Sequence, residues 1–159
     1  MEDQTKSPHH GGGSKPYVIL AVNLGLSLLV MYVAMFAMIW SWGEFIQNVN
    51  FFYMALVMWA PMGAIMLATM GGMYRNRQLN TALYLAFAAI FVLSLLGIRQ
   101  QSLVGDDQFL RSMIPHHSGA ILMCEQASLK DPEVIALCDD IVEAQKREIS
   151  QMQAILDRL

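Results

Sequence analysis

Three long stretches without a charged side chain lie in the first hundred residues: Tyr17 to Trp42, broken only by Asn23, Phe51 to Tyr74, and Thr81 to Ile98. At 1.5 Å rise per residue the shortest covers about 27 Å as a helix, close to the roughly 30 Å hydrocarbon thickness of a bilayer. Inside a membrane the backbone must satisfy its own polar groups, which leaves helices or closed barrels, and these stretches lack strand alternation. The pattern therefore predicts an all-α chain with three transmembrane helices at about 17–42, 51–74 and 81–98, together a membrane domain over 17–98. A cleaved signal peptide is the rival for the first stretch. Its apolar run greatly exceeds the usual 7 to 15 residues, however, and no clear small-x-small cleavage site follows. Only 14% of the 159 residues are charged, against roughly 25% in soluble domains. With no lysine or arginine cluster to neutralise a run of phosphates, nucleic acid is excluded as a natural partner.

Basic residues in the short flanks set the expected orientation. Lys6 and Lys15 precede the first span, the loop from Gly43 to Asn50 carries only Glu44, and the next turn holds Arg75 and Arg77. The amino terminus is then cytoplasmic, and everything after Ile98 lies outside, in the periplasm or on the surface if the membrane is a bacterial inner membrane. Arg99 argues weakly the other way. Trp40, Trp42 and Tyr53 would form an outer aromatic belt, and Tyr17 and Tyr74 an inner one. Residues 1–16, with Pro8, Gly11, Gly12, Gly13 and Ser14, have nothing to bury and are expected to be a disordered tail. His9 and His10 in it are read as solvated.

The second span carries two rows at helical spacing: Met54, Met58, Met62, Met66 and Met70, and Ala60, Ala64, Ala68 and Gly72. Small residues in that register let two membrane helices approach closely. A ladder of thioethers could pass a cuprous ion, with Met31, Met35 and Met38 facing it. Yet methionine is a common apolar filler, and an every-fourth row drifts about 40° per step, so packing is the simpler reading. Pro61 is expected to kink the span and free a carbonyl near Val57.

From Gly105 onward the composition changes, and five basic residues against ten acidic give this part a net charge of minus 5. Residues 105–159 read as a water-facing antiparallel helical hairpin. Asp106 would cap a first helix with a face of Phe109, Met113, His117, Ala120, Ile121 and Cys124. The second opens on Asp131-Pro132-Glu133 and continues along Val134, Cys138, Ile141, Gln145, Ile149, Met152, Leu156 and Leu159. Two such helices bury little, so a second copy is expected to complete a four-helix bundle, making the protein a homodimer or higher homo-oligomer.

Within the first helix, Met113, His116, His117, Met123 and Cys124 fall in roughly one third of the helix circumference. Imidazole nitrogen and thioether sulfur suit cuprous copper or silver and suit magnesium or calcium poorly. On an unbroken helix adjacent histidines diverge by about 100°, so the plain alternative is one packed and one solvated imidazole. Pro115 could kink the helix, or start it, just ahead of them.

These residues resemble the domain of unknown function 305 family. The resemblance rests on Met113-Ile114-Pro115-His116-His117, Gly119-Ala120, Met123, Gln145, Glu148-Ile149 and Met152, and covers Phe109 to Met152, about a third of the chain; the three-span half also looks like that of short membrane-anchored members. It implies a helical bundle, often secreted or membrane-anchored in bacteria, some of whose members bind copper or silver and support copper tolerance. By carry-over Met113, His116, His117 and Met123 are the metal positions, with Met152 close enough to contribute. Gln145 and Glu148 are expected behind the ligands, Glu148 hydrogen-bonding a ligand imidazole.

Cys124 and Cys138 depart from the family pattern and lie on either side of the turn at Lys130 and Asp131. They are either a disulfide, favoured in an oxidising compartment, or thiolates extending the soft site. Glu125, Glu143 and Glu148 invite a di-iron reading, but the Glu-x-x-His pairs are missing. No nucleophile-base arrangement or phosphate loop is visible, so the chain reads as a binder, not an enzyme. The expected function is membrane-anchored binding of cuprous copper or silver for sequestration or delivery, with a metal donor or acceptor as partner. Two rivals stand beside it: an accessory subunit of a membrane complex without metal, and haem ligation by His117 with a methionine, which lacks a covalent Cys-x-x-Cys-His motif.

Overall fold

A computed structural model of the chain describes residues 15–159, which form five α-helices and a short 3-10 turn, with no strand among them. The helices are α1 (Lys15–Ala34), α2 (Val49–Thr69), α3 (Arg77–Gln100), α4 (Asp106–Gln126) and α5 (Pro132–Leu156). Lys6, His9, His10 and most of the expected tail lie outside the described residues. The first three helices are long and apolar enough to cross a membrane.

The first helix stops at Ala34, well short of the expected Trp42. Hydropathy alone does not end it there. Beyond Ala34 one large apolar residue is committed to protein contacts: Phe36 is buried, with its ring centroid 4.2 Å from Phe45 and 4.9 Å from Phe51. The Met38 carbonyl lies where a Cβ on Gly119 would be 3.5 Å away, so this segment rests directly on α4. Helix α2 begins at Asn48, whose side chain accepts from the Phe51 N–H at 2.8 Å, and α3 at Asn76, which accepts from the Leu79 N–H at 3.0 Å. Both satisfy amides that a helix start leaves unpaired. Pro61 sits inside α2, which runs unbroken from Val49 to Thr69.

Helix α2 is the central one, packed against both α1 and α3, which meet each other where the Tyr17 hydroxyl donates to Asn80 Oδ1 at 2.9 Å. Leu20, Leu24, Ala60, Leu67, Tyr74 and Phe87 form its core, and the Trp59 indole donates to the Leu24 carbonyl at 2.7 Å. The expected row holds at Ala60, fully buried, and Ala64, packed against the core, but a closer approach falls beside it on Gly63. A Cβ there would stand 2.7 Å from the Phe87 ring, whereas Ala68 and Gly72 are exposed. Gly97 on α3 does the same for Tyr53, at 2.9 Å.

Helix α4 packs along α5 and also touches α2 and the 3-10 turn. Gly105, not Asp106, is its cap residue, and Asp106 and Asp107 fill the first turn near the positive end of the helix dipole. Pro115 neither starts nor interrupts it; the ring is buried within a continuous helix. Phe109, expected on the packed face, is 52% exposed. Asp131 caps α5 as the sequence predicts, accepting from the Glu133 and Val134 amides at 2.9 and 3.2 Å, with Pro132 in the first turn.

Candidate metal centre

The α4 backbone orients His117. Its Nδ1 lies 2.9 Å from the Met113 carbonyl one turn earlier and donates to it, which leaves Nε2 aimed across at α5, 2.8 Å from Glu148 Oε2. The imidazole is only 12% exposed, while Glu148 is 47% exposed and so anchored at one end only. A backbone acceptor on one ring nitrogen is the usual way a protein presents the other nitrogen to a partner.

The contact also sets the register of the two helices, which run in opposite directions: Cys124 meets Cys138, and His117 meets Glu148. One turn back from His117 on α4 is Met113, and one turn on from Glu148 along α5 is Met152, so the two thioethers stand at the same level. Met152 packs against the Ile114, Ile121 and Ile149 cluster and Met113 is half-buried. Gln145 sits one turn before Glu148 and is half-buried.

The other expected ligands stand apart from this level. His116 is exposed, with its ring edge-on to His117 and the centroids 5.9 Å apart. Met123 is 59% exposed and ten residues beyond Met113, about 15 Å along the axis, far more than one coordination shell with bonds of roughly 2.0–2.3 Å can bridge. Angular position on the helix placed these side chains on one sector, but axial rise separates them. Cys124 and Cys138 form a disulfide with Cα atoms 5.4 Å apart. That settles the alternative left open by the sequence: neither sulfur is a thiolate ligand. Among the described residues no three His, Cys, Asp or Glu side chains gather as a metal-holding group.

The methionines of α2 do not form one path. Met54, Met58 and Met70 are 45%, 44% and 42% exposed, whereas Met62 and Met66 pack against the α1–α2–α3 core. Only the latter two line a shallow cleft with Met31 of α1.

A buried polar contact escaped the sequence reading. Glu44, 5% exposed, accepts from the Ser41 amide at 3.0 Å and from the Ser118 hydroxyl of α4, which is fully buried and accepts in turn from the Trp40 amide. The Trp40 indole donates to Glu125 at 2.7 Å, Lys146 donates to the same carboxylate at 2.9 Å, and the Lys146 ammonium lies 4.6 Å from the Trp40 ring centroid. Lys146 first and Trp40 second hold the Glu125 carboxyl below its ordinary range. Trp40 thus serves the join between the α1–α2 connection and the α4–α5 pair. The available signal was a lone acid in an otherwise uncharged loop, and a serine on the apolar face of α4.

The family described as Domain of unknown function (DUF305) matches residues 59–156. The chain belongs to this family. The match reaches beyond the metal-candidate helices into α2 and takes in all of α3. An uncharacterised protein of Acanthamoeba polyphaga mimivirus is 34% identical over 122 residues, covering 74% of this chain and 76% of the viral one. No solved structure matches.

Proposed function

We propose that this protein is a membrane-anchored binder of a soft monovalent cation, cuprous copper or silver, held by Met113, His117 and Met152 and kept for sequestration or passed to a donor or acceptor protein. One observation carries the reading: the Met113 carbonyl fixes the His117 ring by Nδ1, so that Nε2 faces α5 at Glu148, with Met113 and Met152 each one turn away in register. A nitrogen with two thioethers is a donor set for a soft ion. Glu148 occupies Nε2 in the free protein; on metal binding it yields that nitrogen and remains as an outer partner or an added oxygen ligand. His116 and Met123 lie outside this set, exposed on α4, where an arriving ion would meet them first. The role is binding without turnover.

Two features support the placement. The Cys124–Cys138 disulfide belongs to an oxidising compartment. Lys15, Arg75 and Arg77 lie at the ends of α1, α2 and α3 remote from α4, as the positive-inside rule asks of the cytoplasmic side. The α4–α5 pair is then an extramembrane hairpin on the periplasmic or outer face of a bacterial inner membrane. Its α5 exposes Val134, Ile135 and Leu137, a strip that a second copy would cover in a four-helix bundle; a monomeric mass of the detergent-solubilised chain would overturn that part.

The test is an anaerobic titration of the whole chain with cuprous ion against a chromogenic chelator. Wild type should take up one ion tightly, and the Met113→Leu, His117→Ala double variant and Met152→Leu should each lose it by at least about tenfold in affinity. Met123→Leu should leave it unchanged. Equal uptake by wild type and the double variant would overturn the site, and loss confined to Met123→Leu would move it.

A further inference from the structure

A groove of about 820 Å³ opens where α1, the start of α2 and the start of α4 meet. Its long wall is apolar, made by Gly25, Leu28 and Leu29 of α1 and Phe52 of α2, and its rim is polar, made by Asp107 and Arg111 of α4. From Gly25 to Tyr32, the α1 residues that line it, the wall rises about 10 Å, two thirds of the roughly 15 Å depth of one leaflet. The rim is held over the wall: Gln108 accepts from the Val49 amide at 3.0 Å, and Tyr32 accepts from the Asn48 amide at 3.2 Å.

The rim carries one charge of each sign. Arg111 Nε donates to both oxygens of Asp107 at 2.9 Å. These contacts use Nε alone, so its two terminal nitrogens have no hydrogen-bond partner among the described residues, and Arg111 lines a groove that the metal reading does not use. A guanidinium in that state takes a phosphodiester in a forked, charge-assisted pair. Asp107, 47% exposed, has lone pairs left for an ammonium group. A purely anionic headgroup would meet the Asp107 carboxylate as a like charge, and a free headgroup would leave the apolar wall wet.

We infer that this groove holds one zwitterionic phospholipid of the ethanolamine type from the leaflet next to α4, its phosphodiester on Arg111, its ammonium on Asp107 and an acyl chain along Gly25, Leu28, Leu29 and Phe52. The inference rests on the membrane placement proposed above and is independent of the metal site.

The whole chain in mild detergent is mixed with equal amounts of phosphatidylethanolamine and phosphatidylglycerol, and the lipid retained per chain is read by native mass spectrometry. Wild type should keep one phosphatidylethanolamine, preferred about tenfold, and Arg111→Gln should lower its retention by a similar factor. Asp107→Asn should turn the preference toward phosphatidylglycerol. Gly25→Leu separates groove filling from misfolding, because a Cβ there meets nothing within 4 Å, and it should abolish retention. Equal retention of the two lipids by wild type, or phosphatidylethanolamine retained undiminished by Gly25→Leu, would overturn the assignment. So would chain-free phosphoethanolamine competing as well as the lipid. A chain that leaves the membrane fraction without detergent would overturn the membrane placement itself, whereas a detergent-requiring chain that keeps no lipid overturns the groove alone.

Discussion

Helices α4 and α5 are of similar length and lie against each other, yet α4 buries seven of its residues and α5 only Ile149. The difference comes from position. Helix α4 has α5 on one side and the α1–α2 connection on the other, so Ser112, Ser118 and Gly119 are buried on one flank and Ile114 and Ile121 meet α5 on another. Helix α5 is the outermost layer and leaves Val134, Ile135 and Leu137 uncovered. A helix flanked twice needs small and polar residues that fit a neighbouring backbone, whereas one flanked once needs only a single apolar seam. The His117–Glu148 contact lies on the boundary between the two regimes, with its nitrogen end enclosed and its carboxylate end in water.

The largest effect that would break this contrast is a matched pair of truncations. Ile121→Ala, at a fully buried position, should cost about 2–5 kcal/mol in unfolding of the whole chain in detergent, while Leu137→Ala, 57% exposed, should stay within about 0.5 kcal/mol. Comparable costs would mean that α5 is covered by a second copy, which would favour the four-helix bundle. Next comes the disulfide. Cys124→Ser with Cys138→Ser opens a loop of 14 residues, for which chain entropy alone gives about 3 kcal/mol. A much smaller loss would show that packing along α4 holds the reduced pair together. Ser118→Ala should cost about 1–3 kcal/mol by leaving the Trp40 amide unpaired and Glu44 Oε2 with the Ser41 amide alone. It should also lower the Trp40 fluorescence midpoint before that of α2.

Much of this contrast was legible beforehand, and the remainder shows where local pattern stops. Asp131-Pro132 announces the start of α5 because capping is chemistry within a few residues. The same holds for three membrane-length helices and for Glu148 beside an imidazole. The end of α1 was not legible, because hydropathy does not distinguish an apolar residue facing lipid from one facing protein, and Phe36 against Phe45 and Phe51 is the second kind. The approach at Gly63 was hidden for a related reason: the alanine row has the right spacing, but the helix face is chosen by Phe87 on another helix. Met113 and Met123 share a sector of α4 yet are separated by axial rise, a coordinate that an angular projection discards.

The smallest effect tests how the outer layer is fastened to the connection beneath it. Glu125 is held below the ordinary carboxylate value near 4.5, chiefly by the Lys146 hydrogen bond and secondarily by Trp40. A carboxylate with a lowered folded value adds stability that is fully present above about 4.5 and is lost as pH falls through the lowered value, because protonation removes the acceptor both donors use. The unfolding midpoint of wild type should therefore drop toward that of Glu125→Gln below pH 4.5, with a constant gap between the two above it. Lys146→Met should narrow the gap more than Trp40→Phe does, following the order of the two causes. The whole effect is small because the carboxylate lies at the surface, where solvent and salt screen it. A gap that persists unchanged to pH 3 would mean that Glu125 fastens α4 to Trp40 through its shape and neutral hydrogen bonding, with the Lys146 charge contributing nothing.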